Sequence, residues 1–83
     1  MGPYYQTITS FLTDNQFSLL KAIALAEVVQ QPLGGEFIKR FELPSASSVK
    51  AALAVLTEKD LVYQSTEGYI VYDRFLGHWL KRL

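Results

Sequence analysis

The sequence contains no cysteine, which excludes a disulfide framework, a thiol nucleophile and every cysteine-ligated zinc site. It has a single histidine, His78, between apolar positions near the C-terminus, and neither a catalytic triad nor a His-rich metal centre can be built from it alone. Charge of either sign is not in excess, since eight Lys and Arg balance eight Asp and Glu. A domain that lives by gripping phosphate backbones usually shows a basic surplus, so this neutrality counts against nucleic acid as the main partner. Long apolar runs are missing too, being interrupted by Lys21, Glu27 or Lys50 well short of membrane-spanning length. The opening Met1–Gly2–Pro3–Tyr4–Tyr5 has neither the charged leader nor the apolar stretch of a signal peptide. The phosphate loop G-x-x-x-x-G-K-[ST] is absent, and Gly34–Gly35–Glu36 lacks both its lysine and its hydroxyl. The eight acids are scattered, mostly at helix ends, and no pair forms an obvious acid–base couple. These gaps predict a cytoplasmic, non-catalytic chain with no cofactor, no metal and no membrane partner.

What is present is core-forming material: 49% of the 83 residues are hydrophobic, enough for one small domain spanning 1–83. Tyr4, Ile8, Phe11 and Leu12 fall at helical spacing and predict an N-terminal helix within 1–12. Thr13–Asp14–Asn15–Gln16 has the form of a capping box, with Leu12 and Phe17 at the positions of a hydrophobic staple. The helix it opens is expected to reach about Val29, burying Phe17, Leu20, Ile23, Ala24 and Val28, and to stop at Pro32 and Gly34–Gly35. A shorter helix over Glu36–Phe41 points Phe37, Ile38 and Phe41 inward and Lys39 and Arg40 outward. Leu43 before Pro44 breaks it, and Ser45 caps a third helix running to Lys59. Val49, Ala52, Leu53 and Leu56 give that helix the clearest 3.6-residue periodicity in the chain, completing a helical trio over 13–60.

The period then changes. Residues 61–65 and 69–72 are rich in β-branched and aromatic residues around Thr66–Glu67–Gly68, which predicts a hairpin over 61–72. Asp73 caps a final helix, over 73–83, with an apolar stripe of Phe75, Leu76, Trp79, Leu80 and Leu83. Helix, short helix, tight turn, helix and hairpin make an α+β fold, the winged helix-turn-helix, with flanking N- and C-terminal helices. A two-stranded hairpin is marginal alone, so docking it on the open side of the trio stabilises both. Phe11 and Trp79 are expected to add a layer from the flanking helices.

The stretches NQFSLLKAIA, EFIKRFELPSASSVKAALAVLTEKDLV and GYIVYDRFLGHWL together resemble the C-terminal winged-helix region of bacterial and archaeal AAA-type ATPases. The resemblance covers about Thr13 to Leu80. Its most distinctive part is the aromatic strand running into Asp-x-Phe and a tryptophan, here Tyr69, Tyr72, Asp73, Phe75 and Trp79. It implies a parent that binds ATP elsewhere and a C-terminal appendage that binds DNA, binds a partner or regulates its own core.

Two surfaces are candidates for that work. If the third helix of the trio entered a major groove, Ser47, Ser48 and Lys50 at its start would contact double-stranded DNA, with Lys39 and Arg40 gripping the backbone. Bidentate base readers are missing there, and Glu67 at the wing turn would repel phosphate. The alternative is protein contact, with the ATPase core or another partner, through Ala51, Ala54 and Val55 on a smooth outer helix face. Tyr4, Tyr5, Tyr63, Tyr69, Tyr72 and Trp79 exceed what so small a core encloses, and exposed aromatics suit an interface.

Overall fold

The computed structural model describes residues 2–83, with side chains from Tyr5 onward. Five helices and one hairpin follow in the order α1 (Gly2–Ser10), α2 (Asp14–Ala26), α3 (Gly35–Arg40), α4 (Ala46–Glu58), β1 (Val62–Ser65), β2 (Gly68–Val71) and α5 (Arg74–Lys81). This is the α+β arrangement expected from the sequence, a helical trio with a two-stranded wing and flanking helices. Among the described residues no helix is long and apolar enough to cross a membrane.

The helix starts follow their local chemistry. At α2, Thr13 Oγ1 accepts the Gln16 N–H at 3.2 Å and Gln16 Oε1 accepts the Thr13 N–H at 3.1 Å, the reciprocal box read from the sequence. Ser45 Oγ likewise accepts the Ser48 N–H at the start of α4. At α5, one Asp73 carboxylate oxygen accepts the Phe75 and Leu76 N–H groups at 2.9 and 3.4 Å. Asp73→Ala leaves those donors to water, and is expected to cost about 1 kcal/mol, lowering Tm by roughly 4–8 °C in a thermal melt. An unchanged Tm would show that α5 is held by packing alone.

α2 lies at the centre of the domain. Its Leu19, Leu20, Ile23 and Ala24 are buried with Val49, Ala52, Leu53 and Leu56 of α4, with Val62 and Val71 of the hairpin, and with Leu76 and Leu80 of α5. All four periodic positions predicted for α4 are therefore core. α1 closes the far side of α5, where the Tyr5 and Trp79 rings meet with centroids 5.6 Å apart.

Several expectations are corrected. α1 stops at Ser10, two residues early, because the Thr9 and Ser10 hydroxyls bond back to the carbonyls of Tyr5 and Thr7 and a turn then leads into the Thr13 cap. Phe11 thus falls outside the helical phase and is 76% exposed, while Tyr5, expected at the surface, is buried in its place. Tyr4 lies outside the described side chains.

α2 ends at Ala26, well before Pro32. Glu27 takes φ 70° and ψ −50°, and the Val28 N–H bonds to the Ala26 carbonyl at 2.8 Å. This is the strained, positive-φ form of the γ-turn. It swings Val28 out to solvent and aims Val29 at the wing. Val29 and Tyr69 then exchange both backbone hydrogen bonds, at 3.0 and 2.7 Å, so that β2 lies between β1 and this single bridging residue. Phe17, Phe37, Ile38 and Phe41 flank the core half-buried and are not enclosed by it. α3 itself starts and ends one residue early, with Gly34 as its N-cap. On α5, Leu76 and Leu80 are buried and Trp79 half-buried, but Phe75 and Leu83 are exposed. Phe75 sits a helical step off the inward arc, and Leu83 lies past the helix end.

Candidate functional site

The hairpin register pairs Val62 with Val71, Tyr63 with Ile70, Gln64 with Tyr69 and Ser65 with Gly68, leaving Thr66–Glu67 as a two-residue loop. Side chains alternate between the faces of a strand. Val62, Gln64, Tyr69 and Val71 therefore share the face turned towards α2 and α4, and Tyr63 and Ile70 share the other. Beyond the buried valines, Gln64 and Tyr69 reach the rim of α4.

There they help to line a groove of about 450 Å³, together with Leu53 of α4 and the segment from Gln30 to Gly34. Its walls are Gln30, Gln31, Gln64 and the apolar Pro32, Leu33 and Tyr69, and every lining residue is uncharged. The sequence gives no single signal for this groove, because three segments far apart in the chain build it. Gln30–Gln31–Pro32–Leu33 reads locally as a helix stop, and only the Val29–Tyr69 bridge turns that loop into a wall.

The outer face of α4 is turned away from Leu53, the α4 residue that lines the groove. Ser47, Lys50, Ala51 and Ala54 are exposed there, and Ser48 and Val55 are half-buried. Positions 47, 51 and 54 follow one another at helical spacing, so the exposed strip is small-residued, with Lys50 at its edge. The serines at its start are drawn together: Ser45 Oγ lies 3.3 Å from Ser47 Oγ and donates to Ser48 Oγ at 3.1 Å. Ser47 and Ser48 thus belong to the cap of α4 as well as to its surface.

Lys39 and Arg40 are exposed on the last turn of α3, as expected. The Arg40 guanidinium carbon sits 5.1 Å from the centroid of the Phe41 ring, and Phe41 in turn meets Phe37 in a tilted ring contact with centroids 5.0 Å apart. Arg40 also lines hollows with Val28 and Phe37 and with Lys21 and Leu25, on the α2 side of the domain. His78 is exposed on α5, and among the described residues no group of three or more His, Asp or Glu could hold a metal ion. Of the aromatics expected at the surface, Tyr63 and Tyr72 are exposed, whereas Tyr69 and Trp79 are half-buried against the core.

Over residues 3–82 the chain matches a family described as "probable winged helix domain". No curated protein and no solved structure matches it.

Proposed function

The chain belongs to the family of probable winged helix domains, and from that premise we propose that it is a non-catalytic binding and regulatory module. In this reading it is the C-terminal appendage of a cytoplasmic AAA-type ATPase and docks onto the ATPase core. The docking surface in this reading is the Ala51, Ala54 and Val55 strip of α4, together with the groove on the Leu53 side of the same helix. One observation carries the choice of protein over DNA: the groove between α4 and the wing is lined without a single charged residue. A duplex docked in that position would meet glutamines, leucines and a tyrosine where phosphates require cations. An apolar strip with neutral hydrogen-bonding groups at its rim has instead the make-up of a protein interface core.

The test is a titration of the chain with the ATPase segment encoded upstream of it. Wild type is expected to bind, and Ala54→Glu to weaken binding about tenfold or more, since a charge is then buried unpaired in the contact. The Tm of the variant should stay close to wild type because Ala54 is exposed. The absence of an ATPase upstream, or no association even when the two are tethered, would rule this reading out. Binding of labelled duplex at low salt that disappears on Lys50→Glu would favour the DNA alternative, with α4 as recognition helix.

A further inference from the structure

The opposite face of the wing carries a second surface. Tyr63 and Tyr72 stand there with ring centroids 5.6 Å apart in an edge-on pair, 42% and 68% exposed. They form one wall of a cleft of about 440 Å³ whose other wall is α5, through Arg74, His78 and Lys81. The floor is apolar, made by Ala24, Val71 and Gly77.

The floor is open because of Gly77. A glycine inside a short helix weakens it relative to alanine. Nothing in the packing calls for one here, since a Cβ at this position would come no nearer than 3.9 Å to the Val71 side chain. Leaving out the side chain has one visible effect, a deeper cleft between α5 and the tyrosines.

The charges around the cleft are unevenly committed. Glu27, held out by the strained γ-turn that ends α2, pairs with Lys81 at 3.7 Å. Asp73 is occupied by the N–H groups at the start of α5. Both acids lining the cleft are thus engaged. Arg74 has no ion-pair partner among the described residues. An unpaired guanidinium beside an exposed tyrosine pair is a composition enriched at interface hot spots.

We propose that this cleft binds an acidic peptide segment of a partner protein, one carboxylate on Arg74 and a neighbouring apolar or aromatic side chain on the Gly77 floor against Tyr63 and Tyr72. A nucleic-acid strand fits less well, because a run of phosphates needs several cations and, of Arg74 and Lys81 lining the cleft, Lys81 is already paired with Glu27. The two surfaces use opposite faces of the hairpin, so occupation of one leaves the other accessible.

The experiment is a selection of random dodecapeptides displayed on phage against the whole chain, followed by affinity measurement on the enriched peptides and on oligo(dT). Enriched sequences are expected to combine Asp or Glu with Phe, Trp or Leu. Their affinity should fall about tenfold or more in Arg74→Glu and in Gly77→Leu, and be unchanged in Ala54→Glu. Arg74→Glu places an acid in the first turn of α5, where the helix dipole favours it, so loss of binding is not loss of fold. Gly77→Leu removes a helix-weakening glycine and should melt no lower than wild type. Failure to enrich any peptide, enrichment of basic or uncharged sequences, binding that survives both cleft variants, or tighter binding of oligo(dT) than of the peptides would each overturn the proposal. Docking through α4 stands or falls separately, on Ala54→Glu.

Discussion

Gly68→Ala is expected to destabilise the domain by about 3 kcal/mol or more, from a total on the order of 4–12 kcal/mol for a chain of this size. Gly68 opens β2 at φ 138°, a conformation that side chains with a Cβ rarely adopt. An added Cβ would lie 2.6 Å from the Val29 carbonyl oxygen and 2.8 Å from its carbon. Both are backbone atoms, so no rotamer change makes room. The chain must either rotate Gly68 to negative φ, breaking its pairing with Ser65, or push away the strand-like segment at Val29. Either route opens the bridge that holds the wing to the helical body. Urea unfolding should show a lower midpoint with nearly unchanged slope. Gly35→Ala is the control, because nothing lies within 4 Å of a Cβ there. Equal stability of the two variants would contradict the account of Gly68.

Leu56→Ala is expected to cost roughly 2–5 kcal/mol, the range for removing a buried leucine side chain when its surroundings cannot collapse. Leu56 is fully buried, on the inner side of the helix whose outer side carries Ala51 and Ala54. α4 packs against both α2 and β1, so the space left behind is bounded by elements fixed from several directions. For a domain of this length the loss corresponds to a drop in Tm of roughly 4–8 °C per kcal/mol. Ala54→Glu, two residues away, should change Tm little. A Tm for Leu56→Ala close to that of Ala54→Glu would mean that α4 is not anchored as described. The pair separates what α4 does for the fold from what it presents to a partner.

Where the determinant is local, the structure follows the sequence. The Thr13 box, the Ser45 cap, the Asp73 cap and the inward positions of α4 depend on residues within a turn or two of one another. Their spacing therefore states the outcome. The end of α2 is different. Ala26–Glu27–Val28 carries no glycine or proline, and the γ-turn at Glu27 is imposed by the demand that Val29 reach Tyr69. The helical period alone places Val28 inside for the same reason, because the stop at Ala26 exists only through tertiary pairing. Phe11 and Phe75 show a second limit. Each is apolar and close to an amphipathic stripe, yet one residue off the arc is enough to leave a ring in solvent. Tyr5 makes the converse point, buried because Trp79 from the other end of the chain covers it. Composition marks Tyr63 and Tyr72 as surface aromatics, but no local pattern marks the cleft they wall or the uncharged groove, since each is assembled from segments brought together by the wing.

The Val29–Tyr69 bridge also bears on the order in which the domain is made. Its two residues are roughly 40 positions apart, so closing it requires a large loop of chain to be confined first. α1 to α4 precede Tyr69 in the chain, and helical contacts of short sequence separation form fastest. Until the hairpin docks, the Val29 edge and part of the inner face of α4 have no covering partner. Wing docking is thus the closure of longest reach in the domain's backbone pairing, and Gly68 is the residue that lets the two backbones come close enough to complete it.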